Sequence, residues 1–217
     1  MHMTHYQPHI IWHSLGLCDY VPILEAMQRF TDMRCPDTAD EIWTLEHRPI
    51  YTIGQAGSLE HILTSGKIPV LRSDRGGQAT YHGPGQIIAY VLYDLQRNKI
   101  GIKHLVCRLE QAVIDLLANE GVEAQRQTGA PGIYVATKKI ASLGLRVRKG
   151  RSFHGLSLNC AMDLEPFTRI VTCGNADLQV TQLADLVTSV NMQQIETNLV
   201  RHLTLQLSPT NLIIGKQ

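Results

Sequence analysis

Apolar residues recur at Tyr20, Ile23, Leu24, Met27 and Phe30 across residues 19–34, a spacing that fills one side of an α-helix. A second stripe over residues 102–119 aligns Leu105, Leu109, Ala112, Val113, Leu116 and Leu117, and Gly121 supplies a stop. A third, over residues 191–207, turns Ile195, Leu199 and Leu203 inward. Between these the period shortens. Residues 9–15, 41–46, 50–53 and 69–72 read as short strands, with Arg48-Pro49 separating the second from the third. Residues 86–95 form an apolar run rich in strand formers and read as a central strand. Residues 132–135, 140–148 and 153–159 read as a three-stranded meander, followed by a helical turn at 164–168 and a short helix at 180–186. Gly76, Gly77, Gly83, Pro84 and Gly85 mark a loop-rich stretch, and the last ten residues read as loosely held.

Strands and helices do not alternate regularly, so the pattern predicts a mixed α+β domain rather than a doubly wound parallel sheet. With 217 residues and no repeat or linker, a single catalytic-sized domain over 1–217 is expected, a small C-terminal lobe being the alternative. Composition narrows the function. Lys+Arg 20 against Asp+Glu 19 excludes a globally basic nucleic-acid binder. The longest strongly apolar stretch, residues 87–93, falls far short of the ~20 residues a membrane helix needs. The first residues have neither a basic start nor an apolar core, so no secretory signal is read, and a soluble cytoplasmic protein is expected.

Five cysteines, at 18, 35, 107, 160 and 173, are odd in number and lack Cys-x-x-Cys spacing, which points away from disulfides and zinc. Cys18 opening a helix, Cys107 in an apolar helix and Cys160 ending a strand all read as core filling. Cys173, in Val171-Thr-Cys-Gly-Asn175, has no periodic surroundings and precedes a glycine that permits close approach, so it is the candidate nucleophile. Lys139 alternates with Ala141 and Leu143, so it points with small and apolar neighbours, whereas Lys138 faces the other way as an ordinary surface lysine. A lysine near a thiol favours the thiolate. Arg75-Gly76-Gly77-Gln78-Ala79-Thr80-Tyr81-His82 offers backbone N–H groups, a guanidinium and polar tips, enough to cradle a carbonyl or a phosphate. It is neither a Walker loop nor a dinucleotide fingerprint, and a glycine-rich turn with a satisfied histidine is the plainer alternative. His154-Gly155-Leu156-Ser157-Leu-Asn159 alternates as a half-buried wall beside an apolar ligand would, and its histidine reads as structural. No metal-binding motif is present, and neither a metal nor a cofactor is expected.

Together, Arg75-Gly-Gly-x-x-Thr-Tyr-His-x-x-Gly-Gln86, Lys139-x-Ala-x-x-Gly144, His154-Gly-x-x-x-Asn159 and Cys173-Gly174 stand in the order and spacing of the lipoyl(octanoyl) transferases, a family related to the biotin and lipoate protein ligases. Tyr20, Leu45-Glu-His47, Tyr51-Thr-Ile-Gly54, Gly129-x-Pro-Gly132 and Thr181 to Leu183 extend the resemblance over about residues 10–190, leaving 191–217 as a terminal helix and tail. The chain departs from the family in carrying Thr172 where proline usually precedes the cysteine.

The resemblance implies a largely antiparallel mixed sheet flanked by helices, as in the biotin/lipoate ligase catalytic domain. It implies transfer of an octanoyl group from acyl carrier protein to a lysine on lipoyl domains of 2-oxoacid dehydrogenase E2 subunits and of the glycine-cleavage H protein, with no nucleic acid or membrane involved. Cys173 would carry the acyl thioester and Lys139 would favour its thiolate. Arg75 to His82, Ser142, Leu143, Gly144, Gly155, Leu156 and Ser157 would form the substrate walls, with backbone N–H groups near Gly77 or Gly144 taking the oxyanion. The family's partners are typically acidic, and the six cations Lys138, Lys139, Arg146, Arg148, Lys149 and Arg151 could form a docking patch. Two other activities stay open: an ATP-dependent ligase making an adenylate, and an acyl-binding module without chemistry.

Overall fold

The computed structural model describes residues 10–171 and 178–208. The elements, in chain order, are β1 (Ile11–Cys18), α1 (Tyr20–Met33), β2 (Glu41–His47), β3 (Ile50–Ile53), β4 (Val70–Arg72), β5 (Ala79–His82), β6 (Gln86–Leu92), α2 (Ile102–Asn119), β7 (Gln125–Gln127), β8 (Ala130–Val135), β9 (Lys138–Arg148), β10 (Arg151–Asn159) and α3 (Met192–Leu207). Seven strands form one sheet in the order β1-β2-β6-β10-β9-β8-β7, and β4-β3-β5 form a second. Within the large sheet only the β1–β2 pair is parallel, so it is mixed and largely antiparallel, as expected.

Strand β6 explains the layering. All seven of its residues are buried because both of its faces are covered. Ile87, Ala89 and Val91 join Leu105, Leu109, Leu116, Ile195, Leu199 and Leu203 in one core beneath α2 and α3. Ile88, Tyr90 and Leu92 join Met27 of α1, Leu45 and Phe153 on the opposite side. The period of two thus sends alternate residues into two different interiors. A third cluster, Tyr51, Tyr81, Met162, Phe167 and Ile170, seals the small sheet.

Several expectations need correction. Residues 79–82, read as part of a glycine-rich loop, form β5, because they pair antiparallel with β3 from Ile50↔His82 to Ile53↔Ala79. The short helix expected over 180–186 is a single 3-10 turn, Leu183–Asp185, since Val180 instead bridges Lys139. Strand β7 was not anticipated; its polar Gln-Arg-Gln has no pattern of its own and exists by pairing with β8. Cys18 ends β1 rather than opening the helix. Among the cysteines expected in the core, Cys160 is buried, Cys18 is half-buried and Cys107 is exposed, lying off the apolar face of α2. No described helix is long and apolar enough to cross a membrane. His9 and the tail from Pro209 onward lie outside the described residues.

Candidate active site

A narrow crevice of about 60 Å³, open at one side, lies on the α1 side of the large sheet. Ile88 and Tyr90 of β6, Ser142, Leu143 and Gly144 of β9, and His154, Gly155, Leu156 and Ser157 of β10 form its sheet side. Arg75, Gly77 and Gln78, then Ala79, Thr80 and His82 of β5, supply the other side, and Tyr20 comes from the first turn of α1. Three segments far apart in the sequence, each expected to contact substrate, therefore meet around one space.

The Arg75–Gln78 loop is held against the sheet by backbone. Gly76 donates its N–H to the Leu145 carbonyl at 3.0 Å. The approach is so close that a side chain at Gly144 would place its Cβ 2.9 Å from the Gly76 carbonyl oxygen, which accounts for glycine at both positions. Gly76 is thereby spent on the scaffold and is absent from the crevice lining, against expectation. Arg75 also works inward: it donates from Nε to Thr52 Oγ1 (3.0 Å), from Nη2 to the Thr52 and Gln78 carbonyls (both 2.7 Å) and from Nη1 to the Gly76 carbonyl (3.0 Å). Its fork fastens the loop to β3 while its edge lines the crevice. Tyr81 does not line it; alternation turns it away, onto Tyr51 and Phe167.

The crevice is bordered by buried imidazoles. His47 donates from Nδ1 to the Cys18 carbonyl (3.1 Å), so its Nε2 accepts the Tyr90 hydroxyl (2.7 Å). Burial pushes His47 down to about 4 and His82 well below the ordinary imidazole value, and it holds the Tyr90 phenol well above its own. All three are therefore neutral near pH 7. His82 bonds Gln86 Oε1 (2.8 Å), Gln86 donates to Asn159 Oδ1 (2.9 Å), and Asn159 donates to the Thr181 carbonyl (3.0 Å). Thr181 N–H in turn donates to the Lys139 carbonyl (2.9 Å), so one hydrogen-bonded chain runs from the crevice to the backbone of Lys139.

His154, 1% exposed, has φ +59, a conformation non-glycine residues rarely adopt. It donates from Nε2 to Asp74 Oδ1 at 2.8 Å. Burial lowers His154 despite the carboxylate, and Asp74, although burial opposes it, is lowered by the bond from His154. A neutral imidazole donating to an ionised carboxylate satisfies both directions. Sequence reading missed Ile88, Tyr90, His154 and Tyr20 as crevice residues. The even–odd alternation of residues 86–92 was the available signal for the first two, once it was known which face borders the crevice.

Lys139 is 2% exposed, against exposed Lys138, so the distinction between the two holds. Its Nζ donates to the Pro131 carbonyl at 3.0 Å and lies 5.2 Å from the centre of the Tyr134 ring. The simple alternation expected along this strand is interrupted. The β8–β9 register shifts between Ile133 and Tyr134, and Ile140 and Ala141 both enter the α2/α3 core. Lys139 N–H donates to the Gln179 carbonyl (2.9 Å), so the chain that follows residue 177 runs beside Lys139. Cys173 lies outside the described residues.

The basic segment is not a row of uncommitted charges. Arg148 donates to Asp32 Oδ2 at 2.8 Å and sits 3.7 Å from Asp74 Oδ2. Arg151 lies 3.5 Å from Asp94, Arg146 donates to Gln55 (2.8 Å), and Lys139 is buried; Lys138 and Lys149 are exposed. Among the described residues no group of three or more His, Cys, Asp or Glu side chains is placed to hold a metal ion.

The architecture and the crevice define a catalytic domain of the lipoate and biotin ligase kind. A solved lipoate-protein ligase A bound with ATP superposes with TM-score 0.75 at 17% identity, covering 93% of this chain and 85% of that one. The biotin protein ligase of Aquifex aeolicus with biotin and ATP gives 0.55 at 11%, covering 92% and 70%. The family model described as "Lipoyl protein ligase A/B catalytic domain" matches residues 19–204, and the chain belongs to that family. It is 56% identical over 194 residues to the octanoyltransferase of Pseudomonas entomophila (88% of this chain, 90% of the relative). It is 54% identical over 202 residues to that of Xanthomonas campestris pv. campestris (91% and 87%).

Proposed function

We propose that this protein is an octanoyltransferase that moves an octanoyl group from acyl carrier protein to a lysine of lipoyl domains through a thioester on Cys173. One observation carries the reading: the Arg75–His82, Ser142–Gly144 and Gly155–Ser157 segments converge on one crevice, and the buried Lys139 lies three residues before Ser142 on the same strand. Three strand residues span about 10 Å, which sets Lys139 next along β9 from the Ser142 edge of the crevice.

The chemistry closes without an added energy source. Cys173 thiolate, favoured by the Lys139 ammonium, attacks the donor thioester carbonyl; the new C–S bond forms and the bond to the carrier's pantetheine sulfur breaks. Lys139 gives its proton to that departing thiolate. The neutral amine of the acceptor lysine then attacks the Cys173 thioester and loses a proton to Lys139, the amide forms, and Cys173 leaves as thiolate. Backbone N–H groups of Gly77 or Gly144 take the oxyanion in both halves. Each methylene the crevice takes from water contributes about 0.8 kcal/mol, so the tail binds as an apolar chain. The donor is acyl carrier protein, and the acceptors are lipoyl domains of 2-oxoacid dehydrogenases and the glycine-cleavage H protein. With Arg148 and Arg151 paired to carboxylates, exposed Lys138 and Lys149, and Arg146 held by the neutral Gln55, are the cations of this segment left for acidic partners.

Mass spectrometry after incubation with octanoyl acyl carrier protein tests the reading. A hydroxylamine-sensitive octanoyl adduct on Cys173, absent as a thioester in Cys173→Ser, is expected without ATP. A requirement for ATP and free octanoate, or no covalent mass, overturns it.

A further inference from the structure

Glu110 lies on the inward face of α2 among leucines and is 6% exposed, an expensive place for a carboxylate unless it is used. Its Oε2 accepts from Arg126 Nε at 2.9 Å and its Oε1 accepts the Gly132 N–H at 3.3 Å. The carbonyl of that same peptide group, Pro131 O, accepts the Lys139 ammonium at 3.0 Å. One peptide unit is therefore clamped between a carboxylate at its N–H end and an ammonium at its C=O end, its dipole aligned with both charges. Gly132, at φ +131, makes the contact possible: a Cβ there would stand 2.9 Å from Lys139 Cε and 3.2 Å from Nζ.

We propose that Glu110 is a positioning residue for Lys139, acting through the Pro131–Gly132 peptide to aim the carbonyl at Nζ and to place a counter-charge beyond it. Around this end of Lys139, the described ionisable groups are Tyr134 on β8, Glu110 on α2, Arg126 behind it on β7, and exposed Lys138 at the start of β9. Arg126 also donates to the Cys107 carbonyl (2.8 Å) and to Gln111 (3.1 Å), tying the β7–β8 hairpin to α2. It therefore partly neutralises Glu110 and holds it in place.

The catalytic weight of this device rests on the proposed role of Lys139, but the device can be tested without Cys173. Trace acetylation of the full-length protein with acetic anhydride at fixed pH, read per lysine by mass spectrometry and normalised to exposed Lys99, measures how readily Lys139 gives up its proton. In Glu110→Gln the ammonium loses its distant counter-charge, and Lys139 labelling rises about tenfold. In Arg126→Gln the carboxylate is less neutralised, and labelling falls roughly threefold. A merely structural brace would loosen the hairpin in both variants and speed both. Labelling that rises in both, or is unchanged in either, overturns the proposal; if Glu110→Gln does not fold, the direction in Arg126→Gln decides alone. Absence of a Cys173 thioester would instead remove the transferase reading and leave this result standing.

Discussion

The two sides of strand β6 are built on opposite terms. Towards α2 and α3, Ile87, Ala89 and Val91 meet a broad, almost wholly aliphatic core. Towards α1 and the small sheet, Ile88 and Tyr90 meet Tyr20, His82 and His154, with His47 behind Tyr90. That side also carries buried polar atoms with no protein partner among the described residues: Gln78 Oε1, Thr80 Oγ1 and His154 Nδ1, all on residues of the crevice wall. Each such atom costs about 1–3 kcal/mol. The aliphatic side is packed for stability; the crevice side instead sets neutral imidazoles and buried acceptors around an open, partly apolar space.

The strongest break of this contrast is on the reactive side. Lys139→Ala should lower turnover about 10²–10⁴-fold, the range of a lost acid–base group, while leaving the fold intact. The alkylation profile of Cys173 should move to higher pH, and a profile that does not move breaks the pairing of the two residues. On the aliphatic side the effect should fall on stability. Leu109→Ala, at a fully buried position, should cost about 2–5 kcal/mol in chemical denaturation with an unchanged KM, and a raised KM would mean that the two sides are not separable.

Acid should find the crevice side first. His47 titrates at about 4 when folded and at about 6.5 when unfolded. Between those values the unfolded chain holds the extra proton, so the stabilisation is complete above about pH 6.5 and declines as pH falls towards 4. For His47 alone the loss is about 3 kcal/mol, and His82 and His154 act in the same direction. His47→Gln should flatten the melting temperature over that interval; an equally steep decline would place the acid sensitivity elsewhere. The smallest effect is expected at Thr80. Thr80→Val replaces the unpartnered hydroxyl with a methyl group of the same shape, which should raise stability by about 1 kcal/mol and raise the donor KM a few-fold. Greater stability with an unchanged KM would show that the hydroxyl is not kept for substrate.

Much of this was legible in the chain. The helical stripes of α1, α2 and α3 follow from periodicity, because side-chain direction is a local property of the backbone, and the apolar run of residues 86–95 marked β6 as a central strand. The segments that form the crevice stood out because glycines and polar tips cluster in them. Strand β5 did not, since its strand character comes from β3, and polar β7 owes its existence to β8. Arg75 was identified as a candidate, but its employment in bracing the loop could not be read from its neighbours in sequence.

Residue order by itself determined the three helices and the central strand β6, where apolar surface must be buried, and that the Arg75–His82, Lys139–Gly144, His154–Asn159 and Cys173 segments are the candidates for the chemistry. Only the tertiary structure decided that Arg75 faces its own scaffold, that Tyr81 turns away from the crevice while Tyr90 turns into it, and that Glu110 reaches Lys139 through one peptide group. The reason is physical. Periodicity and turn chemistry act over a few residues, whereas hydrogen-bond partners and burial are settled by which strands and helices come to lie side by side.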